Sequence, residues 1–257
     1  MINNTNNTKI SCRGVSKEFV QKGNQLVRVL DKIDLDVRDN EFLVLLGPGQ
    51  SGKSTLARIM AGLETPTTGA VTLNGKEVTG PGKDRGMVFQ SYMLFPWRTV
   101  MGNVALGPRV NGASRKNAQK IAKHYIDLVG LNGFEKAFPH QLSGGMKQRV
   151  GIARAYANKP EIMFLDEPFG QLDAQTRIVM AQEIIRIWNA EKRTVIFVTN
   201  NIEEALFLGE RIVTLEDKLP SAQGKIYDVS LPRPRNYTSP DFLEMRRIIT
   251  EGTKLVL

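Results

Sequence analysis

The sequence predicts an α/β fold built on a largely parallel sheet, and three observations lead there. A strand-length apolar segment, Phe42-Leu43-Val44-Leu45-Leu46, runs straight into the glycine-rich stretch Gly47-Pro48-Gly49-Gln50-Ser51-Gly52-Lys53-Ser54-Thr55. That stretch opens a segment, Leu56 to Leu63, whose Leu56, Ile59, Met60 and Leu63 share one helical face. In the second half, strand-like and helix-like segments alternate: Ile162–Leu165, Asp173–Trp188, Thr194–Val198, Ile202–Leu208 and Ile212–Leu215. Such alternation is the pattern of βαβ crossovers.

In chain order, residues 1–8 are polar, with neither a basic start nor an apolar run, and read as a disordered tail rather than a secretion signal. Residues 9–46 read as an antiparallel start. Ile10 to Val15 forms one strand, a turn falls near Lys22-Gly23-Asn24, and Ile33-Asp34-Leu35-Asp36-Val37 alternates cleanly. Turn residues from Thr65 lead to a short strand, Ala70–Leu73, and Met87–Phe89 reads as a buried strand ending on Gln90. From Ser91 to about Ala157 the pattern is helical, notably Lys116–Leu128 and Met146–Ala157, and separates two groups of strands as an inserted subdomain. After about residue 220 comes a basic tail, with Leu231-Pro232-Arg233-Pro234-Arg235 and then a helix from Pro240 to Ile249. No internal repeat is present, so residues 9–257 are expected to form a single domain with one nucleotide-binding half.

Composition limits the partners. At 257 residues the chain buries a core of its own, and 41% hydrophobic with 24% charged residues suits a soluble protein. No apolar run approaches the length that crosses a bilayer. Lys and Arg number 35 against 26 Asp and Glu, but they are scattered without interleaved aromatics, so the net charge of +9 does not point to nucleic acid. The single Cys12 excludes an internal disulfide and suits a reducing compartment.

Three stretches carry chemistry. Gly47 to Thr55 fits G-x-x-x-x-G-K-[ST] between a strand and a helix. A tight turn of this kind directs backbone N–H groups at one point, and glycines let it close around a phosphate. Lys53 reaches terminal phosphates and the Ser54 hydroxyl ligates Mg²⁺, so this is a nucleoside triphosphate site. The strand Ile162–Leu165 delivers Asp166 and Glu167 at its C-terminal end, where ligands of open α/β sheets gather. Asp166 there suits the Mg²⁺ shell, and Glu167 suits orientation and deprotonation of a water. Leu142-Ser143-Gly144-Gly145-Met146-Lys147-Gln148-Arg149 opens a helix whose free N–H groups make a second anion-binding surface.

The order of these three stretches resembles the ATP-binding cassette family, and the likeness covers nearly the whole chain. It implies a P-loop NTPase core with a largely parallel sheet, an N-terminal antiparallel β subdomain and an inserted helical subdomain. By this resemblance Gln90 touches Mg²⁺ and the attacking water, and Phe19 stacks on adenine unless it is core. Ser143, Gly144, Gly145, Met146 and Gln148 close over ATP held by a second cassette, with Asp173 at the interface. Features around Met93–Val100, Asn103-Val104, Phe169–Arg177 and Leu231–Arg235 are similar to the nitrate, sulfonate and taurine importer branch. The resemblance then implies a peripheral subunit on the cytoplasmic face of the membrane. It docks on a permease near Gln90–Val100 and is served indirectly by an external solute-binding protein. Tyr92, Phe95 and Trp97 fall where docking is expected, and packing inside the helical subdomain is the other reading.

One departure matters. Where the family places a switch histidine, this chain reads Val198-Thr199-Asn200-Asn201. Asn200 still donates an amide hydrogen bond towards a γ-phosphate but is shorter than imidazole and carries no charge. Either this cassette pairs with a different, competent one, or a homodimer runs with a slower switch. A regulatory cassette that hardly hydrolyses ATP is the alternative in another class, opposed by intact Lys53, Ser143, Asp166 and Glu167. A cassette ATPase of DNA repair or translation is a third, opposed by the lone cassette, the single cysteine and the lack of long heptads.

Overall fold

The computed structural model describes residues 8–21, 23–216 and 219–253. The chain opens with β1 (Thr8–Val20) and β2 (Leu26–Arg38), paired antiparallel with Cys12 opposite Leu35 and Phe19 opposite Val27. In β2, Ile33, Leu35 and Val37 turn inward while Asp34 and Asp36 face out, the period of two that the sequence predicts. Thr8, counted with the polar tail, is the first residue of β1 and pairs with Arg38; residues 1–7 lie outside the described residues, as does Lys22 of the expected turn.

Next come β3 (Phe42–Leu46), α1 (Lys53–Met60), β4 (Thr68–Leu73), the two-residue β5 (Lys76–Glu77) and β6 (Arg85–Val88). Helix α1 starts earlier than its apolar face suggests, because the glycine-rich loop feeds directly into it at Gly52. It also stops short of Leu63: Gly62 takes φ 73, Gly62 N–H donates to Ile59 O and Leu63 N–H to Arg58 O, a Schellman ending. The helices α2 (Val100–Val104), α3 (Leu106–Val110), α4 (Arg115–Leu128) and α5 (Gly144–Tyr156) follow, then β7 (Ile162–Asp166) and α6 (Ala174–Ala190). The chain continues with β8 (Thr194–Thr199), α7 (Ile202–Leu208), β9 (Arg211–Leu215), β10 (Gln223–Asp228) and α8 (Pro240–Thr253).

These elements fall into two compact units, one of residues up to Gly82 together with those from Arg193 onward, the other Lys83–Lys192. In the first unit β2, β1, β4 and β5 form an antiparallel sheet in that order. A second sheet runs β10-β9-β3-β8, with β3 parallel to both β9 and β8 and with β10 antiparallel to β9. Every residue of β3, β8 and β9 is buried, as strands covered on both faces should be. A buried bidentate pair, Arg211 Nε to Glu41 Oε1 at 2.7 Å and Nη2 to Oε2 at 2.9 Å, ties the start of β9 to the start of β3. The sequence reading did not anticipate β10, whose Gln223-Gly224-Lys225-Ile226-Tyr227-Asp228 lacks a buried apolar row and is held by its register on β9.

In the second unit β6 and β7 run parallel, Gly86 opposite Met163 and Val88 opposite Leu165. Its helices bury the stripe Ala118, Ala122, Tyr125 and Ile126 of α4, and Val150, Ile152 and Tyr156 of α5. The fold is the mixed α/β arrangement with a parallel core that the sequence predicts. Among the described residues, no helix is long and apolar enough to cross a membrane.

Candidate nucleotide site

The glycine-rich loop leaves β3 at Leu46, whose register neighbours are Thr199 and Thr214, and turns back into α1. Two glycines are required by their surroundings. A Cβ on Gly47 would lie 2.8 Å from Ser51 Oγ and 3.0 Å from Leu215 O. Gly52 has φ +79, and a Cβ there would lie 2.7 Å from Leu30 Cδ2. Gly49 is different: nothing in the protein lies within 4 Å of where its Cβ would be, so that side of the loop is open to a ligand. Lys53 is 3% exposed, and its ammonium donates to Pro48 O at 2.5 Å and Ser51 Oγ at 3.4 Å. The loop thus wraps around a buried cation, with Gln50 at φ 67 and Ser54 and Thr55 in the first turn of α1.

Helix starts elsewhere show why this one is suited to an anion. Side chains of Ser114, Ser143, Asp173 and Asn201 cap α4, α5, α6 and α7. No side chain caps α1, and no acid stands in its first turn. A helix N-terminus with a lysine and an open glycine beside it favours a polyphosphate. The donor set also fits Mg²⁺ in the way that ion is usually bound. Among the described residues no group of three or more His, Cys, Asp or Glu could hold a metal by itself. Mg²⁺ usually keeps one or two protein oxygens beside substrate phosphates, and the Ser54 hydroxyl at the start of α1 is a donor of that type.

In the second unit, β7 carries Asp166 to its end at 3% exposure. Glu167 follows at φ 44, a left-handed conformation that costs a non-glycine residue about 1–3 kcal/mol. Its turn is closed by Gly170 N–H donating to Glu167 O at 3.1 Å. Gln90, just beyond β6, donates from Nε2 to Glu167 Oε2 at 3.3 Å, so two predicted site residues from separate strands meet. Space here is limited: a Cβ on Gly170 would come within 3.1 Å of Gln90 Nε2.

The start of α5 forms a second surface within this unit. Ser143 Oγ accepts from Met146 N at 3.3 Å, leaving Gly144 and Gly145 in the first turn. A Cβ on Gly144 would lie 2.8 Å from the Tyr92 hydroxyl, and one on Gly145 would lie 3.0 Å from Thr176 Cγ2. A hollow of about 330 Å³ is lined there by Ser143, Gly145, Met146, Arg149, Gln175 and Thr176. Gln148 does not join it: its side chain is 0% exposed and its amide has no hydrogen-bond partner among the described residues. The helical turn points Gln148 inward, away from the side on which Ser143, Gly145 and Met146 line the hollow. Asp173 caps α6, accepting from Thr176 N at 2.9 Å and Thr176 Oγ1 at 2.7 Å, and these bonds hold its carboxyl below the usual carboxylate range.

Asn200 is exposed in the turn between β8 and α7, and its side chain makes no hydrogen bond among the described residues. Both neighbours are pinned: Thr199 Oγ1 donates to Glu204 Oε2 at 2.6 Å, and Asn201 Oδ1 accepts from Glu204 N at 2.9 Å. Neither histidine belongs to this unit. His124 lies 3.4 Å from Glu191, and His140 stacks on Phe138, all within Lys83–Lys192. Phe19 is 37% exposed near the end of β1, which removes the reading of it as a core residue. Lys17 Nζ stands 4.9 Å from its ring centroid, a cation that the sequence reading passed over. Two further groups went unrecognised. Arg154 holds the carbonyls of Tyr92 and Met93, and Arg233 with Arg235 holds the end of α7. Only an arginine without a nearby acid in sequence hinted at either.

The ABC transporter family profile matches residues 30–170. An aliphatic sulfonates import ATP-binding protein of Bacillus subtilis is 45% identical over 93% of this chain and 92% of its own length. A nitrate import ATP-binding protein of Synechocystis is 42% identical over 90% of this chain and 89% of its own. Among solved structures, a dimeric post-hydrolysis ATP-binding cassette bound to ADP and Pi matches at a TM-score of 0.75 and 31% identity, over 87% of this chain and 100% of that one. A profile spanning more than half of the chain, and relatives above 40% identity along nearly all of it, lead to one assignment: the chain belongs to the ABC transporter family, as an ATP-binding cassette whose reaction is Mg²⁺-dependent ATP hydrolysis coupled to transport.

Proposed function

We propose that the chain is the ATP-binding and hydrolysing subunit of an importer for a small anion such as nitrate, an aliphatic sulfonate or taurine. The observation that carries this is similarity over 90–93% of the chain to relatives named for import of nitrate and of aliphatic sulfonates. The subunit works as one of a pair of cassettes, peripheral at the cytoplasmic face, on a permease fed by an external binding protein. Trp97 at 71% and Met93 at 58% exposure support docking of the permease on Gln90–Val100.

Within this reading the backbone of Gly47–Thr55 and the Lys53 ammonium hold the ATP phosphates, and the exposed Phe19 face takes the adenine. Ser54, Asp166 and Gln90 would be the residues that hold Mg²⁺, which would supply neutralisation of phosphate charge. Glu167 accepts the proton of the attacking water, and Gln90, already bonded to it, orients that water. Ser143, Gly144, Gly145 and Met146 meet ATP held by the other cassette, with Asp173 at that interface. Asn200 donates to the γ-phosphate without the charge of an imidazolium. The test is uptake in cells lacking the gene. Transport of radiolabelled nitrate, taurine or an alkyl sulfonate should fall to background and return with the wild-type chain but not with Lys53→Ala. Unchanged uptake of all three overturns the importer reading.

A second reading, a weakly hydrolysing cassette paired with a different, competent one, is favoured by Asn200 and by the absence of any histidine outside Lys83–Lys192. Strong hydrolysis by the purified chain alone sinks it.

A further inference from the structure

The Leu231-Pro232-Arg233-Pro234-Arg235 stretch is buried chemistry that the nucleotide site does not use. Arg235 is 9% exposed and lies against the C-terminal end of α7. Its Nη1 donates to Leu206 O at 2.5 Å, Gly209 O at 2.6 Å and Phe207 O at 3.3 Å. Its Nη2 reaches Val229 O and its Nε reaches Leu231 O, each at 3.2 Å. Arg233 donates to Phe207 O at 3.1 Å and to Leu208 O. With Gly209 N–H donating to Ala205 O, each carbonyl from residue 205 to 209 has a donor, and from 206 onward that donor is a guanidinium.

The last turn of a helix leaves carbonyls without intrahelical partners, and these are buried. A planar fork with five donors satisfies several at once, which an ammonium cannot do in the same geometry. Burial, with neighbouring Arg233 second, pulls the Arg235 guanidinium down to about 10, and it stays charged at neutral pH. The same segment grips α7 laterally. Tyr237 stacks on Phe207 with centroids 4.8 Å apart, and Arg246 Nη1 donates to Glu203 Oε1 at 2.8 Å.

We infer that Arg233 and Arg235 are positioning residues for ATP hydrolysis: they set where α7 stands along its axis, and through it where Asn200 presents its amide. Asn200 lies in the short turn between two anchored elements. Strand β8 is held in register on β3, and α7 is held by the arginines at its far end and by Thr199 and Glu204 at its near end. Releasing the far end lets α7 slide, and the exposed turn absorbs the movement. The loop of Gly47–Thr55 is fixed by other contacts and stays in place. This inference rests on the reading of Asn200 as the γ-phosphate donor.

The experiment is a double-mutant cycle of Arg235→Lys and Asn200→Ala, with steady-state ATP hydrolysis by the cassette in its assembled transporter and amide hydrogen exchange of the nucleotide-free chain. Arg235→Lys should lower kcat about tenfold at unchanged KM for ATP, and lower it no further in the Asn200→Ala background. Exchange across residues 199–206 should quicken about fivefold while residues 47–55 stay unchanged. Losses that simply add, or exchange that quickens equally in both segments, overturn the inference and leave the role of Asn200 standing. An Asn200→Ala variant with wild-type kcat removes that role, and the inference falls with it. Should Arg235→Lys fail to fold, Arg233→Gln replaces it in the same cycle, with the same outcomes deciding.

Discussion

Strands β3 and β7 each have five residues, all buried, yet the turns that leave them are built from opposite materials. The turn after β3 is made of missing side chains. Gly47 and Gly52 have no room for a Cβ, Gly49 is open outward, and the Lys53 side chain is folded into the loop itself. The turn after β7 is made of side chains held under strain, with Asp166 buried at the strand end and Glu167 at φ 44 bonded to Gln90. Backbone amides grip a phosphate whatever the reaction coordinate, whereas a carboxylate poised over water acts only when bonds change. The proposed function gives these turns different tasks, holding ATP for the first and hydrolysing it for the second.

That separation can be broken from either side. The largest effect is expected for Glu167→Gln, which should lower hydrolysis by about 10²–10⁴-fold while ATP affinity by titration calorimetry stays near wild type. A parallel loss of affinity would show that the β7 turn also does the holding. Gly52→Ala attacks the other turn alone. It adds a Cβ at φ +79 against Leu30, so the thermal midpoint should fall by an amount worth about 1–3 kcal/mol, with weakened ATP binding. An unchanged midpoint and affinity would mean that the loop is far more plastic than its contacts indicate. The smallest change, Asn200→His, sharpens the contrast: kcat should rise by about tenfold with no change in affinity. A rate that stays level would show that another group already supplies the donor.

Legibility in the sequence followed the same division. The Gly47–Thr55 loop was readable because its spacing, its preceding apolar run and its following helical face all lie within about twenty residues, and local geometry is what such patterns encode. The end of α1 was misjudged because an apolar Leu63 continues the periodicity past Gly62, where the backbone turns left-handed. The burial of Gln148 was not readable, because a signature in sequence does not say which way a helical side chain points once the helix is packed. Strand β10 went unread because its pairing partner, not its own pattern, makes it a strand.

What the sequence by itself determined is the local pattern: a glycine-rich loop between a strand and a helix, and an Asp-Glu pair after an apolar strand. Each of these depends on residues a few positions apart, whose steric and hydrogen-bonding consequences hold wherever the segment sits. Only the tertiary structure decided the strained Glu167 backbone against Gln90, the exposure of Phe19 over Lys17, and the use of Arg233 and Arg235 to finish α7. Apart from the Lys17–Phe19 pair, those features need partners from 26 to 77 positions away, brought together by burial of apolar strands, and no local pattern carries that information.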